Sequence, residues 1–192
     1  MKVKANKKFL VNVDIDSVWT VLTNPEKIVV CVPGAQLTET IDEDHFKGKV
    51  TIEIGPVTAK FNGDVKFNKR DSSTYELSME GKGADICGKG VATMNMELTL
   101  NSRETFTEIS CIMTVSITGR IAQFGSRMIE AVNNNLFEQF IKNFSNLLAQ
   151  ETERGNVDEV PSKAVTNKAA LLVGSIIVSE FKRKFGKKAE LE

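Results

Sequence analysis

The residue types that most often perform acid–base or metal chemistry are scarce in this 192-residue chain. His45 is the only histidine, and it follows the acidic run Asp42-Glu43-Asp44. Three carboxylates could bind a metal, but three consecutive acids before a strand more often form a solvated turn, so we expect His45 to be a turn residue in solvent. A single histidine also excludes a histidine-rich metal site, and a Ser–His–Asp triad elsewhere in the chain.

The three cysteines, Cys31, Cys87 and Cys111, contain no CxxC pair. Their odd number argues against a disulfide framework or a zinc site and favours a reducing cytoplasm. Cys111 has the inward register of a strand and is predicted to be a small buried hydrophobe. The glycines between positions 81 and 90 precede neither Gly-Lys-Ser/Thr nor a helix, so they predict a bulged strand junction rather than a phosphate loop. These patterns predict no catalytic residue, metal or cofactor, and therefore a protein that is not an enzyme.

Strands are the main elements that would position any site. Loose alternation predicts a first strand over residues 3–13, and a period of two continues through most of residues 36–117. Because one face of this pattern is apolar and the other polar, it predicts an antiparallel meander of six further strands. Between the first strand and the meander, Asp14 or Asp16 and then Asn24-Pro25 are typical starts of two short helices.

A long amphipathic helix is predicted after the strands. Apolar residues recur at spacings of three and four from Ile121 to Leu147, which indicates one helix ending near Gln150. This helix is the only element large enough to cover the apolar face of the sheet, and a curved sheet wrapped on one helix tends to leave a cavity between them. We therefore predict an α+β helix-grip (START-like) domain of about seven strands over residues 1–150.

Methionine is frequent on the predicted inward face of the sheet. It is flexible and polarizable, which suits an adaptable pocket, whereas a closed core usually prefers leucine, isoleucine and valine. Phenylalanines share the same register. We predict that a cavity for a lipophilic ligand is lined by Phe61, Val65, Phe67, Met79, Met94, Met96, Met113, Phe124 and Met128. The alternative that these side chains simply fill a core remains open.

The C-terminal region has a different composition from the rest of the chain. Residues 151–162 are predicted to be a linker and residues 163–192 a helical tail, apolar first and basic afterwards. The apolar stretch is too short to cross a bilayer alone. We predict contact with a membrane or a partner through Leu171, Leu172, Ile176, Ile177, Phe181, Lys182, Arg183, Lys184, Lys187 and Lys188. The alternative is an ordinary helix that docks on the domain or on a partner protein.

The charges of the chain are balanced, with 25 basic and 25 acidic residues. This balance argues against a dedicated nucleic-acid binder. Residues 182–192 carry five basic and two acidic side chains, so a mildly acidic domain precedes a basic tail. No secretory signal is predicted, because the alternating segment after Lys8 soon reaches Asp14. The expected location is the cytoplasm, peripheral on the inner face of the membrane.

Several segments together carry a family resemblance, namely Val18-Trp19, Cys31-Val-Pro-Gly-Ala35, Gly48-Lys-Val-Thr-Ile-Glu-Ile-Gly-Pro56, Phe61-Asn-Gly63, Gly119-Arg-Ile-Ala-Gln-Phe-Gly125 and Gln139-Phe140. Over roughly residues 1–150 the chain resembles the CoxG family of carbon monoxide dehydrogenase subunits, a branch of the START-like superfamily of polyketide-cyclase and lipid-transfer proteins. The resemblance implies an accessory role: a quinone or similar lipid in the cavity, and a C-terminal extension that links a molybdenum-containing carbon monoxide dehydrogenase-type enzyme to the membrane.

Two rival functions stay open beside this hypothesis. A cyclase- or hydrolase-type enzyme using the same cavity would need titratable side chains at inward positions, and the sequence pattern shows almost none. An assembly factor would have a core filled by side chains and no ligand.

Overall fold

The computed structural model describes residues 1–86 and 90–155, with side chains described as far as Glu153. The elements are β1 (Lys2–Val11), α1 (Ile15–Leu22), α2 (Pro25–Val29), β2 (Ala35–Thr40), β3 (His45–Ile54), β4 (Val57–Asp71), β5 (Glu76–Asp85), β6 (Val91–Arg103), β7 (Phe106–Ile117), a 3₁₀ turn (Arg120–Phe124) and α3 (Ser126–Gly155). The predicted fold class is confirmed: the strands form one seven-stranded antiparallel sheet in the order β1-β7-β6-β5-β4-β3-β2, followed by the long helix.

The two short helices begin where the sequence predicts. Asp14 caps α1, since its Oδ1 accepts a hydrogen bond of 2.9 Å from the amide of Ser17. Asn24 caps α2 by accepting bonds of 3.0 and 3.1 Å from the amides of Glu26 and Lys27, and Pro25 occupies the first helical position. These caps satisfy backbone donors that would otherwise be left unpaired, so a brief helical hairpin interrupts the strands.

The long helix differs from its prediction at both ends. Gly119 and Gly125 have φ of +77° and +80° and flank the 3₁₀ turn, so Ile121 and Phe124 lie before α3 and not on it. At the other end α3 runs to Gly155, which makes the first residues of the predicted linker helical. An ion pair between Glu151 and Lys27 of α2 holds this last turn. Residues 156–192, which include the predicted tail, lie outside the described residues.

The helix packs on the sheet through two clusters and, near its middle, through Phe137, which contacts Phe9 of β1. Its C-terminal half contributes Phe144 and Leu148 to a cluster with α1 and the strand ends around Ile109. Its first turns contribute Ile129 to a second cluster, which includes Ile54 and Phe61 and the 3₁₀ turn. A third cluster is formed by Phe46, Phe67 and Leu77 on the sheet, with Trp19 of α1 packed against it. The core is therefore divided among three clusters, to which the central strands contribute residues such as Leu77 and Ile109.

Candidate functional site

Seven of the nine predicted cavity residues lie on the inward face of four neighbouring strands. Phe67, Met79, Met96 and Met113 are aligned in one cross-strand row from β4 to β7. The next row contains Val65, Gly81 and Met94. The strand alternation that the sequence shows thus brings these side chains together on one surface.

These side chains are buried to different extents. Phe61, Phe67 and Met113 are buried, whereas Val65, Met79, Met94 and Met96 are only half-buried although they face the interior. In a close-packed core, side chains at the centre of a sheet would be sealed from water. Among the described residues, Val65, Met94 and Met96 belong to none of the three clusters. Their remaining exposure indicates that α3 does not fill the space above the central strands.

On α3, Leu136 lies about midway between the residues that pack in the first and second clusters. It is half-buried and lies between Ile129 and Phe144, which anchor the two clusters at the ends of α3. Among the described residues, Leu136 belongs to neither cluster. The next residue, Phe137, contacts Phe9 of β1 edge to face at 5.9 Å between ring centroids, so the middle of α3 packs toward the β1 edge of the sheet.

The two remaining predicted residues lie at one end of the fold. Phe124, on the 3₁₀ turn, packs against the second cluster. Met128 is 38% exposed. A Cβ built on Gly55, in the turn between β3 and β4, would lie 3.6 Å from the Met128 sulfur. Met128 therefore covers the tip of that hairpin, whereas Phe124 contributes to the packed core.

A cleft of about 540 Å³ opens beside the row of methionines. It is lined by Trp19, Thr20, Thr23, Asn24, Pro25, Glu26, Thr40 and Phe46, so it lies between the two short helices and the β2–β3 hairpin. None of the nine predicted residues lines it. Trp19 and Phe46 were not among the predicted site residues, although Phe46 is the first buried residue of β3 and shares the inward register of that strand.

The cleft and the methionine row are continuous through aromatic contacts. The rings of Phe46 and Phe67 meet edge to face at 5.7 Å between centroids. Met79, the cross-strand neighbour of Phe67, packs against the same cluster, as does Trp19. An apolar track therefore runs from the wall of the cleft to the half-buried centre of the sheet.

Most of the polar side chains of the cleft already form hydrogen bonds with nearby backbone groups. The hydroxyls of Thr20 and Thr23 donate to the carbonyls of Asp16 and Trp19 at 2.9 and 2.8 Å. The Asn24 carbonyl oxygen caps α2. The cleft thus presents remaining acceptor lone pairs and the Glu26 carboxylate beside the apolar surfaces of Trp19, Pro25 and Phe46. Its lining residues include no histidine, lysine or cysteine that could act with that carboxylate as a base or nucleophile.

The other candidates for chemistry are structural. His45 is the first residue of β3 rather than a turn residue, because its carbonyl accepts from the amides of Ile41 and Asp42 and closes the hairpin. Its Nε2 lies 3.4 Å from an oxygen of Asp64. In the part of the chain that the structure describes, no cluster of three or more His, Cys, Asp or Glu side chains could hold a metal ion.

The two described cysteines are buried. Burial raises the pKa of the Cys111 thiol to about 11 and also raises the pKa of Cys31. Both remain protonated at neutral pH and are weak nucleophiles. Cys111 is thus the small core residue that its register predicts, and Cys87 lies outside the described residues.

The predicted membrane or partner contacts, from Leu171 to Lys188, also lie outside the described residues. Within residues 1–86 and 90–155, no helix combines the length and the apolar character that crossing a bilayer requires.

Comparisons with known proteins agree with this architecture. Residues 8–149 match the family model for CoxG, a subunit of carbon monoxide dehydrogenase. No curated protein matches the chain. A conserved protein from Geobacillus kaustophilus is similar with 22% identity and a TM-score of 0.71, covering 78% of this chain and 97% of that one. The ZhuI aromatase/cyclase from Streptomyces sp. R1128 has 10% identity and a TM-score of 0.57 (79% and 96% covered). Norcoclaurine synthase from Thalictrum flavum has 13% identity and a TM-score of 0.53, and the match covers 78% of this chain and 88% of that one. At these identities the solved structures establish the fold alone.

Proposed function

The chain belongs to the CoxG family of carbon monoxide dehydrogenase subunits, and we propose on that premise that it is an accessory protein that binds a quinone or a similar lipid between the sheet and α3. The observation that carries the proposal is the half-buried inward row around Met79 and Met96, continuous with the cleft through Phe67 and Phe46. The cleft would be the entrance and the methionine row the interior of the site.

Apolar burial would supply the affinity. Removing about 300 Å² of apolar ligand surface from water contributes about 7–8 kcal/mol, before the cost of association is subtracted. Methionine adapts its shape to a ligand at little cost, because its side chain is unbranched and its sulfur polarizable. The acceptors at the mouth, among them the hydroxyl oxygens of Thr20 and Thr23, would orient the hydroxyl groups of a reduced quinone, since an oxidised quinone carries no hydrogen-bond donor.

We propose binding rather than catalysis for this site. The two neighbouring rows that contain Val65, Met79, Met94, Met96 and Met113 include no acid, base or nucleophile. The neighbouring Cys111 has a raised pKa and stays protonated. Catalysis of the cyclase type would require a positioned proton donor or acceptor at the ligand, and this row offers none.

Uptake of the fluorescent apolar probe 1-anilinonaphthalene-8-sulfonate tests the cavity. The Met96→Trp variant would fill the space and weaken probe binding by about tenfold or more. Ile112→Trp is the matched control, because Ile112 lies on the adjacent strand β7, is 52% exposed and faces away from the cavity. Equal probe binding by both variants would count against the site. Mass spectrometry of an organic extract of the purified protein then identifies any bound lipid.

The link to a membrane and to a molybdenum-containing dehydrogenase is also part of the proposal. It is supported by the family and by the apolar and basic composition of residues 163–192. Deleting residues 156–192 is expected to abolish co-sedimentation with anionic vesicles while leaving probe uptake intact. Undiminished co-sedimentation would refute the membrane role of the tail. Co-purification with a molybdenum hydroxylase encoded by a neighbouring gene tests the enzyme partner.

A further inference from the structure

Strand β1 is a long edge of the sheet. It pairs antiparallel with β7 along its whole length, from Lys2 opposite Ser116 to Val11 opposite Thr107. Among the described residues, no strand pairs with its other side. Edge strands of this length present a row of unpaired backbone groups, which can template pairing with another chain.

The register identifies which backbone groups are free. Met1 and Ile117 exchange two hydrogen bonds of 2.8 Å, which fixes them as a bonded pair. Because bonded and non-bonded pairs alternate in an antiparallel ladder, the odd-numbered residues of β1 bond to β7. The even-numbered residues therefore direct their N–H and C=O groups toward the open edge: Lys2, Lys4, Asn6, Lys8 and Leu10.

This open edge also borders a groove against α3. The groove has a volume of about 190 Å³ and is lined by residues 3–7 of β1 and by Glu130, Asn133 and Asn134 of the helix. Residues 133–135 are three consecutive asparagines, which are poor helix formers in the middle of a 30-residue helix. The side-chain amides of the two that line the groove, Asn133 and Asn134, can both donate to and accept from the backbone of a chain lying in it.

The charge of the edge limits what can bind there. Residues 2–11 contain Lys2, Lys4, Lys7 and Lys8 and no acidic residue. A second copy of this strand would bring lysines opposite lysines, which destabilises a ladder. An acidic strand would make favourable pairs, as Lys8 already does with Glu108 of β7 at 3.1 Å.

We propose that the open edge of β1 binds an extended acidic segment of a partner protein as an eighth strand of the sheet. The backbone groups of Lys4, Asn6 and Lys8 would supply the main-chain hydrogen bonds. Lys2 and Lys4 would pair with acidic side chains on the outer face, and α3 would form one wall of the groove. This interaction goes beyond the proposed ligand binding and does not depend on it.

Two synthetic eight-residue peptides test the proposal with the full-length protein. One alternates glutamate with valine and the other alternates lysine with valine. In the free protein, the amides of Lys4, Asn6 and Lys8 should exchange with solvent faster than those of Ala5 and Lys7. The acidic peptide should protect those three amides and the basic one should not. Absence of protection at about 1 mM acidic peptide would overturn the proposal, as would protection of the three amides in the free protein.

Three variants separate strand addition from general charge attraction. Asn6→Pro removes an outward N–H without breaking a bond to β7, so the variant should fold and lose peptide binding by about tenfold or more. Lys4→Glu should weaken the acidic peptide by about fivefold. Lys66→Glu makes the same change of charge on the central strand β4, at an exposed position, and should leave binding within about twofold. Equal losses for the two charge reversals, or full binding by a folded Asn6→Pro variant, would refute strand addition.

Discussion

Substitution of Met96 by phenylalanine distinguishes an open interior from a closed core. Met96 and Leu100 both lie on β6 with the same inward register, and they differ in their surroundings. Leu100 is 3% exposed and belongs to a packed cluster with Ile109 and Phe144, both of which are fully buried. Met96 is half-buried between Met79 and Met113 and belongs to none of the three clusters. An added ring therefore has space at one position and not at the other.

The expected magnitudes follow from this difference. At Leu100 a phenylalanine overfills a closed site and should lower the free energy of unfolding by about 1–3 kcal/mol. At Met96 the ring can take up unfilled space, and about 40 Å² of additional apolar surface removed from water contributes about 1 kcal/mol. After the cost of ordering the ring, Met96→Phe should be stable to within about 0.5 kcal/mol of the natural chain, or slightly more stable.

Urea denaturation of residues 1–155, followed by circular dichroism, measures both variants. Protein refolded from urea is used, so that a retained lipid does not occupy the space. A difference of about 2 kcal/mol between the variants corresponds to about 4–8 °C in the midpoint of thermal unfolding for a domain of this size. If Met96→Phe and Leu100→Phe lose the same free energy, the interior is closed, and the assembly factor with a filled core becomes the better interpretation.

Two further predictions concern the turns that shape the fold. Gly34→Ala should destabilise the domain by about 2 kcal/mol or more, because φ is +73° and the new Cβ would lie 2.1 Å from the Thr51 carbonyl oxygen. Gly125→Ala meets no atom within 4 Å, but φ +80° with ψ 161° is a conformation that is essentially restricted to glycine, so it should cost about 1–3 kcal/mol from backbone strain alone in the same chemical denaturation. Hydrogen bonds from Ser73 lower the pKa of Asp71 from 3.8 to about 2. The stability that Asp71 contributes is therefore fully present above about pH 5 and is lost as the pH falls toward 2. The thermal unfolding midpoint of Asp71→Asn should accordingly vary less with pH across that window, and an unchanged decrease of the midpoint at acid pH would contradict this assignment.

The strands were predictable because their side chains alternate between a solvent-exposed face and a buried face. The alternation from Phe46 to Ile54 appears directly as buried or half-buried inward positions, and the same holds across the meander. A shift of one residue would expose every apolar side chain of a strand, so burial alone fixes the register. The caps Asp14 and Asn24 were equally readable, since they act on amides two or three residues away.

The start of the long helix was predicted wrongly for a physical reason. Ile121, Phe124 and Met128 are spaced as on a helix, but a 3₁₀ turn followed by a break presents the same spacing. The break depends on the backbone angle of Gly125, and the sequence alone does not indicate which of its many allowed conformations a glycine adopts. The cleft was missed because Trp19 and Phe46 are distant in sequence and meet only in the folded chain.

The segments that resemble the family fix the backbone and leave the lining of the site undetermined. Gly34 approaches β3 so closely that no side chain fits. Gly63 does the same against β5, where a Cβ would lie 2.0 Å from the Lys82 carbonyl oxygen, and Gly125 sets the start of α3. The methionines at 79, 94, 96 and 113 fall outside all of these segments. Membership of the family therefore accounts for the backbone of the matched residues 8–149, whereas preference for the proposed ligand would depend on side chains that lie outside the quoted segments. Exchange of those methionines for leucines should accordingly change ligand preference and leave the fold unchanged.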